Sequence, residues 1–378
     1  AGRQGAPKPD DVRGLTVLGI FLLQDPVRPE TRALLSGAAA AGIRTIMLTG
    51  DHRATAEAVA REIGLATGKH AVIDGATLER LSDDALRAML PTLSVVVRVT
   101  PAQKLRIVQL LQKMGETVAV TGDGVNDAPA LNAAEIGIAV GSGTDVAKEA
   151  ADIVLLDDNF RTIMRSVEEG RFAFQNVRKA AVYMIGNAFC EVSLIVGALA
   201  IGFPIPLTTP QILWINVVES GFLNIGLALE AGEEAVLRDP PRRRGRPFFT
   251  TRYKTWLAAI AAILTVVTLP AYMGFLAWTG DLVVTRTMLL VTLSLQSVFM
   301  VYAVRKVHSP SLGRGMFANH WLNVGALASL ALLTLPVILP QLHEPFSTAS
   351  LAPGQWLAAV VTAIASVLLI EAAKLAIV

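Results

Sequence analysis

Six apolar runs, each near the length of a bilayer crossing, follow one another from residue 182 to the end of the chain and constrain that half more than any other feature. They cover about 182–203, 209–229, 256–278, 283–304, 321–341 and 355–377. One such run can be a buried helix of a soluble protein, but six in succession read as an all-α bundle of six transmembrane helices. Composition agrees: 53% of the 378 residues are hydrophobic and the mean hydropathy is +0.52, too apolar for an ordinary soluble protein.

The loops between the runs carry charge unevenly. Residues 230–254 contain Arg238, Arg242, Arg243, Arg244, Arg246, Arg252 and Lys254, and residues 305–314 contain Arg305, Lys306 and Arg314. The loops at 204–208, 279–282 and 342–354 contain no Lys or Arg. The positive-inside rule then puts the Arg-rich loops, the segment before the first run and the C-terminus on the cytoplasmic side. The formal net charge of +2 gives no argument for nucleic acid, because the basic residues gather beside apolar runs. A single cysteine, Cys190, excludes an internal disulfide and a Cys-based zinc site. No secretory signal is visible, and the chain opens at Ala1 in a stretch rich in Pro, Gly and charge, which reads as a linker within a longer protein.

Before the apolar runs the patterning is that of an α/β domain. Strands are expected at Gly14–Leu23, Ile43–Leu48, Ser94–Val99, 117–121, Ile136–Val140 and Asp152–Leu156. Helices are expected at Glu30–Ala41, from Asp51 to about Ile63, from Pro101 and at 144–150. Thr100-Pro101 supplies a cap and a first-turn proline. Alternating strands and helices imply a parallel sheet covered on both faces, with ligands bound beyond the carboxyl ends of the strands. Asn159 to Lys179 reads as a polar helix entering the first apolar run without a break.

Three groups fall at those strand ends. Thr49-Gly50-Asp51 follows one strand, Lys104 lies in the helix after another, and Asp123-Gly124-Val125-Asn126-Asp127 follows a third. Backbone N–H groups at Gly50 and Asp51 can meet phosphate oxygens, and Lys104 adds positive charge. Asp123 and Asp127 can hold a hard cation such as Mg2+, which takes one or two carboxylates plus phosphate. Positioning and charge neutralisation of this kind are what phosphoryl transfer requires. Each group alone is also an ordinary strand end, capping aspartate or solvated lysine; their order along one domain is the stronger signal. Inside the apolar runs, Glu191 lies mid-run with Asn187 one turn before it, and Asn216, Glu219, Ser220 and Asn224 lie in the second run. Ionisable groups there are costly and mark pathways, so Glu191, Asn216 and Glu219 can build an oxygen-rich cation site between two helices. Asn187 and Asn224 fit interhelical hydrogen bonds better. Gln296 and Arg286 are weaker candidates, with Arg286 expected to snorkel and Glu371 to sit at an interface.

The motifs resemble those of the P-type cation-transporting ATPases, a branch of the haloacid dehalogenase-like superfamily. The matching residues are Asp25-Pro26-Val27-Arg28, Met47 to Asp51, Arg98 to Lys104, Thr121 to Leu131 and Asp145 to Asp152. The resemblance implies a haloacid dehalogenase-like (Rossmann-like) phosphorylation domain, here its C-terminal part at 14–158. A linker at 1–13, a stalk helix at 159–181 and the six-helix domain at 182–378 complete the implied layout. It implies Mg2+ at Asp123 and Asp127, with ATP as the phosphoryl source. Phosphate would be bound by Thr49, Gly50, Asp51, Lys104 and Asn126, with Arg98 near the nucleotide or the hinge. Asp25 and Arg28 would belong to that hinge. Leu213-Trp214-Ile215-Asn216-Val217-Val218-Glu219-Ser220-Gly221 resembles an ion-coordinating family segment, with Glu219 in place of Thr and Ser220 in place of Asp. Glu191 matches a ligand of the preceding helix. Six spans after the phosphorylation domain point to the calcium and sodium–potassium branches, hence to a calcium-like divalent cation and a multi-pass protein of the plasma membrane.

The family's Asp-Lys-Thr-Gly-Thr motif, which carries the phosphorylated aspartate, does not occur in these 378 residues. Covalent catalysis needs its nucleophile. The chain alone is therefore expected to be inactive and to require an N-terminal half with the actuator and nucleotide-binding domains and the first four membrane helices. The alternative expectation is a noncatalytic membrane partner, a split or decayed pump half that binds Mg2+ or ions. A membrane-tethered phosphatase of the same superfamily would need an Asp-x-Asp nucleophile that the sequence does not supply.

Overall fold

The computed structural model describes residues 19, 26–66, 71–232, 241–242, 245–306, 313 and 315–377, the last three by backbone alone. It divides into two compact units, one formed mainly by residues before Arg161 and the other mainly by Arg161–Val378.

The first unit alternates strand and helix. Helix α1 (Thr31–Ala40) precedes β1 (Met47–Leu48) and α2 (Arg53–Glu62). Strand β2 (Val72–Asp74) leads into α3 (Gly75–Arg80) and α4 (Asp83–Met89), a stretch for which no element was expected. Strand β3 (Val95–Val97) is followed by α5 (Pro101–Lys113), β4 (Ala119–Gly122), α6 (Ala128–Ala133), β5 (Ile136–Val140), α7 (Asp145–Ala150) and β6 (Ile153–Leu155). All neighbouring strands are parallel, in two groups of three ordered β1-β3-β2 and β4-β5-β6. Met47 pairs with Val95 and Val72 with Val95, so β3 is central. Its three valines are wholly buried, as a strand covered on both faces requires.

The sequence reading expected one sheet, whereas the hydrogen bonds run within two. Strand β1 is only two residues long, so little ladder is available at that edge. The strand expected at Gly14–Leu23 lies, apart from Gly19, outside the described residues, as does Asp25.

Helix α5 begins where the sequence signals it. Thr100 Oγ1 accepts from Gln103 N at 3.3 Å and Gln103 Oε1 from Thr100 N at 3.1 Å, which satisfies two otherwise orphaned donors. Further along, Arg106 ties the helix to the α3–α4 turn. Its Nη2 donates to Asp83 Oδ1 and to the Leu81 carbonyl, both at 2.7 Å, and its Nη1 to the Leu78 carbonyl at 3.1 Å.

The second unit is helical. Helix α8 (Phe160–Ala200) is continuous for 41 residues, as the unbroken pattern predicted. Next come α9 (Thr209–Val218), α10 (Asn224–Ala228), α11 (Thr251–Thr279), α12 (Leu282–Val304), α13 (His320–Ile338), the short α14 (His343–Phe346) and α15 (Pro353–Ile377). Among the described residues five helices are long and apolar enough to cross a membrane: α8, α11, α12, α13 and α15. The second expected span is helical from Thr209 to Ala228, but a π-helical turn at Glu219–Leu223 divides it. It therefore does not count as one long helix.

Helix α12 is the core of this unit, buried along nearly all of its length and packed against α11, α13 and α15. Its hydroxyls bond backward within the helix, Thr292 Oγ1 to the Met288 carbonyl at 2.9 Å and Ser294 Oγ to that of Leu290 at 2.7 Å. Arg286 Nε and Nη2 donate to the Ile205 carbonyl at 3.0 and 2.8 Å, in the loop between the first two apolar runs. Glu371 is buried against protein, 3.4 Å from Lys374 Nζ.

One end of the bundle is closed by a buried ion pair. Glu230 accepts from Arg305 Nη2 at 2.6 Å, Arg305 Nε at 2.9 Å and Asn319 Nδ2 at 2.8 Å. Arg305 also donates to the Met316 carbonyl, and Asn319 to that of Gly226 at 2.9 Å. This network joins the end of α10, the end of α12 and the start of α13.

Two outcomes follow from these contacts. Arg305→Ala leaves Glu230 buried without its cation and should destabilise the helical unit by about 3–5 kcal/mol, read as a lowered thermal unfolding temperature in detergent. In the soluble unit, the Arg106 hydrogen bond holds the Asp83 carboxyl below its ordinary value of 3.8. The stability from this pair is complete above the ordinary carboxylate range and is lost as pH falls through the lowered value. Thermal unfolding of wild type and Asp83→Asn should differ at neutral pH and converge in acid.

Candidate functional site

The soluble site is built around the turn after β4. The chain leaves Gly122, passes through a 3-10 turn at Val125–Asp127 and enters α6. The sequence reading gave the glycines a turning role, but at Gly122 the reason is space. A Cβ on Gly122 would lie 2.5 Å from the Cβ of Asp127, and one on Gly143 would lie 2.8 Å from the Asp123 carbonyl oxygen. Both contacts are closer than atoms tolerate, so the Asp123–Asp127 loop can pack only against glycine.

Asp127 is buried and fully engaged. Its Oδ1 accepts from Lys104 Nζ at 2.6 Å and its Oδ2 from Gly124 N at 3.3 Å. Asp123 is exposed; its carbonyl accepts from Thr144 N at 2.8 Å, while its carboxylate has no hydrogen-bond partner among the described residues. Asn126 is exposed beside it. The structure thus joins Lys104 to Asp127 and holds Asp123 and Asn126 on the same turn.

Thr49, Gly50 and Asp51 form a second cluster at the end of β1. Thr49 N donates to the Val96 carbonyl at 2.9 Å, Val99 N to the Thr49 carbonyl at 3.1 Å, and Asp51 N to Thr49 Oγ1 at 3.1 Å. Arg98 belongs here, because its Nη2 lies 2.7 Å from Nδ1 of His52, a residue the sequence reading did not single out. Arg98 has φ of +50°, a left-handed conformation that costs a side-chain-bearing residue energy. Lys104 lies one turn into α5, where its N donates to the Thr100 carbonyl at 3.0 Å. Among the described residues no hydrogen bond joins Thr49 or Asp51 to Asp123, Asn126 or Asp127.

This donor set suits a hard cation held jointly with a phosphoryl group. Among the described residues there is no cluster of three or more metal-ligating His, Cys, Asp or Glu side chains. Two carboxylates on one turn, one of them free of other bonds, match the habit of Mg2+, which keeps waters and phosphate oxygens in its shell. Lys104 offsets the charge of Asp127 and leaves Asp123 as the uncompensated oxygen donor.

The helical unit places its candidates in a reciprocal pair. Asn187 Nδ2 on α8 donates to Glu219 Oε2 at 3.1 Å, and Asn216 Nδ2 on α9 donates to Glu191 Oε2 at 3.2 Å. Glu191 and Glu219 are buried. Asn187, Glu191, Glu219 and Gln296 line one small cavity together with Cys190. Gln296 is wholly enclosed, donating to Ser366 Oγ at 2.6 Å and Thr268 Oγ1 at 3.1 Å. Its mid-run amide was the signal for it; Thr268 and Ser366 gave none, because isolated hydroxyls are common in apolar helices. Glu219 opens the π turn, a feature that tends to occur at functional sites. Ser220 is exposed and makes none of these contacts, and Asn224 Oδ1 is buried without a partner among the described residues.

Residues 204–376 match the family model for the cation transporting ATPase C-terminus, and residues 3–135 match that for haloacid dehalogenase-like hydrolases. A calcium-transporting ATPase of Bacillus subtilis is 35% identical over 347 residues, which are 91% of this chain and 39% of that protein. The probable cation-transporting ATPase F of Mycobacterium tuberculosis is 37% identical over 377 residues, 95% of this chain and 41% of that protein. A calcium-transporting ATPase 1 of Yarrowia lipolytica is 35% identical over 379 residues, 99% of this chain and 40% of that protein. The chain therefore spans roughly two fifths of the length of these relatives. With a haloacid dehalogenase-like unit followed by the cation-ATPase C-terminal helices, the chain belongs to the P-type cation-transporting ATPases.

Proposed function

We propose that the chain is the C-terminal part of an ATP-driven pump for a calcium-like divalent cation. The observation that carries this reading is the reciprocal acid–amide pair, Asn187 with Glu219 and Asn216 with Glu191, inside an apolar bundle. Buried carboxylates in such a place are expensive and, where no cation side chain pairs with them, mark a cation path. The names of the relatives, calcium-transporting and cation-transporting ATPases, support the choice of cargo.

In this reading the soluble unit does the phosphoryl work. Asp123 and Asp127 hold Mg2+, which when bound neutralises charge on the transferred phosphoryl group. Lys104 holds Asp127 in place through its hydrogen bond, and Thr49, Gly50, Asp51 and Asn126 donate hydrogen bonds to phosphate oxygens. Arg98 faces the nucleotide. The phosphorylated aspartate and the nucleotide-binding and actuator domains come from parts of the pump outside these residues, so this chain alone does not turn over ATP. Residues 159–181 act as the stalk that carries the change to Glu191, Asn216 and Glu219. The protein lies in the plasma membrane with its soluble unit, Arg-rich loops and C-terminus in the cytoplasm, as the loop charges favour.

The test is ion-stimulated ATPase activity and calcium uptake by the full-length pump in vesicles. Asp123→Asn should lower turnover about a hundredfold or more while leaving the protein folded, since it removes the uncompensated oxygen donor. Glu219→Gln should raise the half-saturating calcium concentration about tenfold or more, which is ~1.4 kcal/mol or more of lost affinity. Unchanged calcium dependence in Glu219→Gln would sink the assignment of the cation path. A full-length protein with no ion-stimulated turnover would point instead to a noncatalytic partner.

A further inference from the structure

The basic end of the helical unit holds a group of cations that the pump reading does not use. Arg178 on α8 is 9% exposed, and its Nε donates to the Phe248 carbonyl at 2.9 Å. Its guanidinium lies 5.2 Å from the centre of the Phe174 ring and 4.4 Å from that of Tyr253. Its Nη2 is buried with no hydrogen-bond acceptor among the described residues. Arg242 lies over the same Phe174 ring at 4.6 Å, and its Nη2 donates to the Pro247 carbonyl at 2.6 Å and reaches the Arg246 carbonyl at 3.5 Å. Arg246 and Lys254 are exposed on the adjoining segment.

Among the described residues these charges have no anions of their own. Neither Arg178 nor Arg242 forms an ion pair among the described residues, and no Asp or Glu occurs from Pro241 to Gly280. Aromatic rings attract a guanidinium but supply no acceptor for its N–H groups. A buried donor without a partner calls for one, and guanidinium forks match phosphate geometry. The position selects the source of that phosphate. Arg178 and Lys254 directly precede the apolar runs that begin near residues 182 and 256, at the level of lipid headgroups. Val177 and Met184 on α8 are 55% and 47% exposed, apolar surface fit for acyl chains.

We propose that Arg178 and Arg242, with Arg246 and Lys254, bind the phosphate of an anionic phospholipid where α8 and α11 enter the bilayer. Basic pockets between membrane helices on this side bind such headgroups. The site is independent of phosphoryl transfer and of the cation path, so its test does not depend on pump activity.

The experiment is native mass spectrometry of the delipidated full-length protein, titrated with phosphatidylglycerol or with phosphatidylcholine of the same acyl chains. Wild type should retain phosphatidylglycerol severalfold better. The triple variant Arg242→Gln, Arg246→Gln, Lys254→Gln should lose that preference and retain the two lipids about equally. Arg178→Gln should lose it as well; because that change removes a buried contact, the exposed triple variant decides the matter if Arg178→Gln does not fold. Equal retention of the two lipids by wild type, or full preference kept by the triple variant, would overturn the proposal. Displacement of phosphatidylglycerol by millimolar inorganic phosphate would also overturn it, by making the ligand a soluble anion.

Discussion

A carboxylate inside an apolar bundle must be met by donors, and the helical unit is arranged around that demand at two levels. In the last third of α8 and at the end of α9, two glutamates each take an amide N–H from the opposite helical segment. At one end, Glu230 takes three donors from Arg305 and Asn319. The two solutions differ chemically. Glu230 is neutralised by a guanidinium and closes three helix ends. Glu191 and Glu219 meet neutral donors, amides and for Glu219 also the Ser297 hydroxyl, which satisfy oxygen atoms without cancelling charge and leave the compensation to be supplied by something else. That difference separates a structural carboxylate from one suited to a passing cation.

The soluble unit divides its two aspartates in the same way. Asp127 is spent on Lys104 and a backbone N–H, and its packing against Gly122 leaves no freedom to adjust. Asp123 has its backbone fixed by Thr144 and its side chain open. Asp127 sets the geometry of the turn with two of its acceptor sites in use, and Asp123 is the freer of the two carboxylates.

Much of this was legible in the sequence where local signals are strong. The Thr100-Pro101 start of α5, strand β5 and the unbroken run of α8 follow from capping chemistry, apolar runs and the absence of a breaker. The turn carrying Asp123 and Asp127 was readable because its residue types are chemically unusual together. The rest depends on tertiary contacts. Strand β2 is three residues long, and no periodicity can reveal so short an element. The partnership of Arg98 with His52 joins residues 46 apart, and the enclosure of Gln296 joins α11, α12 and α15. Ser220 and Glu219 are neighbours in sequence, yet one is exposed and the other buried, a distinction set by which face of the helix meets α8.

The wide turn at Glu219 also amounts to a reserve of length. A π turn closes its hydrogen bonds one residue later than an α-helix does, so it stores a residue that an ordinary helix would pass along its axis. If that turn tightened, the segment on one side would advance by about 1.5 Å and rotate by roughly 100°. Such a step would carry the Glu219 carboxylate away from Asn187 and turn the packed face of that segment with it. What the second apolar run presents to the cavity is thus tied to the state of one five-residue turn.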